Sequence, residues 1–240
     1  MTRSLLALAA AATLAHSATA TPLTPAATAF DVTLSGISAL GSVSVTTSAA
    51  PGWSKAGQLQ GSISPLGGSA ASFLTYCTDI YQAVALNTTV RYTLQGTGSS
   101  HGFTSTQADL LGKLYTHVGA DVDTKAESVA FQLAVWEIVT ETGSTLDVLG
   151  GSFHLNQGAP AAQRNLANSW LSEISSGSVQ NRYSAQRLYN GDYQDLVLFA
   201  ERPETPSQGA TNPVPEPASW ALAGVALAGM AAARRRRTQR

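Results

Sequence analysis

Apolar and polar positions change period twice along the chain. Over residues 29–94 they alternate or cluster with β-branched and aromatic side chains, which predicts strands at 30–34, 42–46, 58–63, 72–80 and 89–94. Pro51-Gly52 and Pro65-Leu66-Gly67-Gly68 separate them as turns. On the fourth of these strands Cys77 shares a face with Phe73, Thr75 and Asp79. The middle of the chain takes the helical period. Residues 106–118 carry an apolar side of Leu110, Leu111, Leu114, Tyr115 and Val118, with Ser105 or Thr106 as N-cap and Gly119 as the stop. Thr124 and Glu127 have capping-box spacing, so a second helix starts there and runs to residue 141 or 142, before Gly143. A third is expected at 160–174, with Leu166, Trp170, Leu171 and Ile174 as its stripe. The last part alternates again at 183–189 and 194–200, with Asn190-Gly191-Asp192 as a hairpin turn.

Strands, then helices, then two more strands predict an α+β domain over residues 29–200. Its expected architecture is an antiparallel β-sheet or barrel carrying an inserted block of about three helices. Residues 201–213, rich in Pro, Thr, Ser and Gln, read as an extended linker.

The second helix holds one anomaly. At about 100° per residue Gln132 shares a stripe with Val129, Val135, Trp136 and Val139, while Phe131 and Ile138 make a second side apolar. Such a helix is buried on most of its circumference. A primary amide there, left without partners, costs roughly 1–3 kcal/mol. Either a hydrogen-bond network or a covalent bond must use it, and Cys77 is the one thiol in the chain.

Both ends look like processing signals. Arg3, the apolar run 5–14 and Ala18-Thr19-Ala20 have the order of a signal peptide over residues 1–20, with Ala18 and Ala20 marking a signal peptidase site. Ala27-Thr28-Ala29 is a second site of that kind. Residues 218–233 are apolar and end on Arg234-Arg235-Arg236-Arg237. Sixteen residues are fewer than the roughly 20 that span a bilayer comfortably, but they suffice for a thin one, giving a C-terminal transmembrane helix with its arginines in the cytoplasm.

Charge changes once these ends are set aside. Of 14 basic residues, Arg3 and five arginines of 234–240 belong to the ends; of 15 acidic residues, Glu216 does. The 8 basic and 14 acidic residues left give a net charge of −6. This body has no basic stripe, which argues against nucleic acid as a partner. His101, His117 and His154 follow no metal-ligand spacing, and neither a metal nor a cofactor is expected.

Phe73-Leu74-Thr75-Tyr76-Cys77-Thr78-Asp79 resembles the aromatic-Cys strand of bacterial surface thioester domains, and Phe131-Gln132-Leu133-Ala134-Val135-Trp136 resembles their Gln-x-Ala-aliphatic-Trp helix. Phe131 stands where that family often has Thr or Val. The resemblance implies an internal thioester between Cys77 and Gln132, with Tyr76, Ala134 and Trp136 as supporting positions. It also implies an adhesive role: covalent attachment to an amine or hydroxyl on a host, neighbouring cell or matrix target, protein or exopolysaccharide. That is a single event rather than enzymatic turnover. Asp79 and Glu137 are the candidate proton handlers. Two other readings stay open: an inert structural protein of an extracellular polysaccharide or biofilm matrix, and a hydrolase with Cys77 as nucleophile and one histidine as base.

Val214-Pro215-Glu216-Pro217, the apolar run and Arg234, Arg235, Arg236 and Arg237 together resemble the PEP-CTERM sorting signal, over about residues 214–238. This implies a Gram-negative bacterium, cleavage by an exosortase near Pro215-Glu216-Pro217, a transient stay in the inner membrane, and release to the cell surface.

Overall fold

The computed structural model describes residues 28–50 and 52–203. The signal peptide with Ala18 and Ala20, Pro215-Glu216-Pro217, the apolar run 218–233 and the arginines after it lie outside the described residues. Among the described residues, no helix is long and apolar enough to cross a membrane.

Among the described residues, nine strands and three α-helices follow in the order β1 (Ala29–Ile37), β2 (Val43–Thr47), β3 (Ser54–Ala56), β4 (Leu59–Pro65), β5 (Ala71–Thr75), β6 (Thr89–Gln95), α1 (Ser105–Leu114), α2 (Lys125–Thr140), β7 (Leu155–Gln157), α3 (Ala161–Ser175), β8 (Tyr183–Tyr189) and β9 (Leu196–Glu201). Six strands form one antiparallel sheet in the order β5-β4-β1-β6-β8-β9. The two ends of this sheet meet where Cys77, just past β5, bridges Leu196 of β9, so the sheet is a nearly closed barrel. The helical block enters between β6 and β8, as the sequence pattern predicts. The class is α+β.

Three departures bear on the site. First, β2 is absent from the barrel. It pairs with β3 and with β7, a three-residue strand from the helical block, in a small second sheet. Strands of three residues are too short to show alternation. Second, β5 stops at Thr75 instead of running to residue 80. Its partner β4 begins at Leu59, which faces Thr75, so the ladder has no rung beyond that point. Third, β8 and β9 are joined by residues 190–195 rather than by a tight turn. The Asn190 side-chain oxygen accepts the Asp192 and Tyr193 N–H groups there.

The helices begin where the side chains can cap them. Thr124 and Glu127 form the expected capping box on α2. On α1 the cap is Thr104, paired with Gln107, one residue earlier than expected. The α1 period also breaks before residue 118, because Tyr115–Gly119 is a π-helical turn. It sets Tyr115 against Phe199 of β9, with ring centroids 4.2 Å apart, and edge-on to Phe131 of α2. Gly112 in α1 is a close-approach position, because a Cβ there would run into the Tyr183 carbonyl and the Asn181 side chain. The core centre is α2, whose residues 128–138 are all buried. Burial on every side agrees with the second apolar side, Phe131 and Ile138, that the sequence adds to the Gln132 stripe.

Candidate functional site

The site is built at the barrel seam. Thr78 N–H donates to the Asp195 carbonyl at 2.9 Å and Val197 N–H to the Tyr76 carbonyl at 3.2 Å. These bonds flank the Cys77–Leu196 bridge. In an antiparallel pair the residue between two such bonds points its own N–H and C=O the other way. Because β4 has already ended, no strand lies on that side of Cys77. Both groups would be buried and unpaired at a cost of about 1–3 kcal/mol each.

Gln132 of α2 takes the place of the missing strand. Cys77 N–H donates to Gln132 Oε1 at 3.0 Å, and Gln132 Nε2 donates to the Cys77 carbonyl at 2.9 Å. One side-chain amide thus imitates a peptide unit across 55 residues of chain. Gln132 itself is fully buried. The two residues singled out from the sequence are therefore brought together, and the amide's burial is satisfied by main chain.

The Cys77 thiol is free and buried. Burial, and secondarily the Asp79 carboxylate, push its pKa up to about 12. A cleft of about 290 Å³ reaches it, lined among others by Trp53, Lys55, Gln82, Trp136 and Gln194. Trp136 forms part of the wall, and its indole N–H is buried without a hydrogen-bond partner.

Tyr76 and Ala134 are buried. Tyr76 stacks on Phe131 at 4.4 Å between centroids, and its hydroxyl accepts a bond from Gln58 Nε2. Burial raises the Tyr76 pKa well above the ordinary phenol value. Asp79 lies close enough for its charge to act on the thiol, and its Oδ1 accepts the Tyr81 N–H. Glu137 stands apart. Five residues beyond Gln132, it projects about 140° around the helix from it, and its Oε1 accepts the Asp147 N–H at 2.7 Å in the loop after α2. Its Oε2 is buried with no partner, and burial pushes the carboxyl pKa up to about 7.

The three histidines are occupied elsewhere. His101 stacks on Tyr189, His117 pairs with Glu173, and His154 Nδ1 contacts the Gly151 carbonyl. None of these contacts involves Cys77, so no Cys–His pair is assembled among the described residues. Among the described residues no cluster of His, Cys, Asp or Glu is placed to hold a metal ion.

Sequence reasoning missed the wall of the cleft. Gln194 is buried beside the seam, its Nε2 donating to the carbonyls of Asp79 and Asp195. It read as an ordinary strand residue next to a turn. Trp53, 62% exposed, carried a detectable signal as a large aromatic directly after a Pro-Gly turn.

Residues 213–237 match the PEP-CTERM protein-sorting motif. No curated protein and no solved structure matches the chain. The PEP-CTERM signal marks a protein processed by an exosortase, held transiently in the membrane and then released to the cell surface or extracellular space. The match covers the tail alone. The functional reading of the folded body rests on its own geometry.

Proposed function

We propose that this exported protein closes an internal thioester between Cys77 and Gln132 and uses it once, for covalent attachment to a surface or matrix target. The observation that carries the reading is the reciprocal hydrogen bonding of the Gln132 amide with the Cys77 main chain. It holds an otherwise unreactive carboxamide against the main chain of the residue that carries the thiol. Fixed proximity of this kind is worth about 7–11 kcal/mol of a barrier when the reacting atoms are aligned.

In this reading the Cys77 sulfur attacks the Gln132 side-chain carbonyl carbon. The carbonyl oxygen, already accepting the Cys77 N–H, carries the developing negative charge, so that N–H serves as an oxyanion donor. Collapse breaks the C–N bond, and the thiol proton leaves with the amide nitrogen as ammonia. An incoming amine or hydroxyl later forms a bond to the same carbon, breaks the C–S bond and returns a proton to sulfur. No cofactor takes part. The raised thiol pKa means that a proton must leave Cys77 during attack; the Asp79 carboxylate acts on that thiol through its charge, whereas Glu137 faces another part of the fold.

A second reading, an inert matrix protein, is favoured by one observation: hydrogen bonds alone already satisfy the Gln132 amide. Intact mass decides between them. With the thioester, the purified chain is one ammonia lighter than its sequence mass and the Cys77→Ala variant is not. Methylamine then adds mass and frees one thiol. Full mass with an intact Gln132 amide in a peptide map leaves the inert reading standing.

A further inference from the structure

The cleft over Cys77 is more selective than an opening for any nucleophile. Trp53 lines it with 62% of its surface exposed, which leaves an indole face open to a ligand. Trp136 lines it too, so two indoles border one small space. The remaining polar wall is made of two side-chain amides, Gln82 and Gln194, together with Ser54 and one cation, Lys55. No carboxylate lines it. Two buried polar atoms of lining residues have no partner: the Trp136 indole N–H, a donor, and Gln82 Oε1, an acceptor. Its volume of about 290 Å³ is at the small end of ligand pockets, with room for about one ring.

We infer that this cleft is a saccharide-binding subsite and that the group it presents to the Cys77–Gln132 junction is a sugar hydroxyl. A sugar ring has an apolar C–H face that suits an exposed indole. Its hydroxyls both donate and accept, which matches one orphaned donor and one orphaned acceptor. A lysine side chain fits worse. Its ammonium would approach the Lys55 charge and have to lose a proton from a group of pKa about 10.4 before it could attack.

Binding stands without the thioester, whereas delivery of the hydroxyl rests on it. In delivery the hydroxyl oxygen bonds to the Gln132 carbonyl carbon, the C–S bond breaks, and the hydroxyl proton ends on the Cys77 sulfur. The products are an ester on the Gln132 side chain and a free thiol.

Two measurements test this on the intact chain. The first is calorimetric titration of the wild type and of Cys77→Ala, each checked for folding by near-UV circular dichroism, with a neutral glucan hexamer, a galacturonate hexamer and a lysine-containing hexapeptide. At least one saccharide should bind, and Trp53→Ala should weaken it ten-fold or more. Binding of the peptide alone, or saccharide affinity unchanged in Trp53→Ala, overturns the subsite. Should the variant Cys77→Ala not fold, the wild type gives the same answer. The second is adduct mass after incubating wild type with equal concentrations of saccharide and peptide. Faster growth of the saccharide ester supports delivery, and faster growth of the peptide amide overturns it. A wild type of full sequence mass defeats the thioester and delivery together, while the titration still decides the subsite.

Discussion

Besides Ser128, helix α2 buries two polar side chains five residues apart, and they are handled in opposite ways. Gln132 is neutral, and the main-chain N–H and C=O of one seam residue engage both ends of its amide. Glu137 is a carboxyl with a single bond from the Asp147 N–H and an oxygen left unpaired, and its pKa is displaced to about 7. A buried amide can be satisfied completely by main chain, whereas a buried carboxylate keeps a desolvation cost that no single N–H removes. The first arrangement therefore suits a junction that must hold still, and the second leaves a group sensitive to pH.

The largest expected effect is at the first of these. Gln132→Ala strips the Cys77 N–H and C=O of their partners and opens a void in α2's packing, for a loss of about 3–5 kcal/mol in urea unfolding. A loss below 1 kcal/mol would mean that water or another group replaces the amide, and the contrast with Glu137 would disappear. Next comes Cys77→Ala. If the cross-link spans 55 residues, its removal costs about 4 kcal/mol. A drop of about 1 kcal/mol, the size of a small packing change, would place both polar residues among ordinary core features.

Glu137→Gln acts in the other direction and depends on pH. The folded state holds the Glu137 proton to about pH 7, against an ordinary value of 4.5. Between those values the native state binds more protons than the unfolded one, so the wild type loses stability as pH rises through that window. The variant should exceed wild type by on the order of 2 kcal/mol at pH 8, with the gap closing below pH 4.5. A gap that does not change with pH would show that Glu137 is not strained by its charge. The smallest effect is on rate. Asp79 helps to hold the thiol protonated, so Asp79→Asn should speed ammonia loss a few-fold in a time course of mass after refolding. Slower loss would instead make Asp79 the base.

The sequence carried much of this. Thr124 and Glu127 announced the start of α2, and an amide among Val129, Val135 and Trp136 announced a buried polar contact. The end of β5 was not legible, because Cys77 sits in an alternating run and its ladder stops only for want of a rung on β4. For the same reason the hydrogen-bonded form of the Cys77–Gln132 contact could not be foreseen, since it depends on where another strand begins. Glu137 looked like a neighbour of the site because of its position on the helix. Only the loop through Asp147 reveals which way it is turned. The β3 and β7 strands, at three residues each, are defined by their partners and not by any local pattern.

The chain leaves the barrel through β9, with the sorting motif beyond it. A pull delivered at residue 203 would load β9 from its far end. It would open the Tyr183–Glu201 rung first and work back, one pair at a time, toward Leu188–Leu196. The rung that holds Cys77 lies at the opposite end of that strand. Tension from the tail would be spent peeling the β8–β9 ribbon before it reached the Cys77–Leu196 rung, so the seam is sheltered from drag on that side.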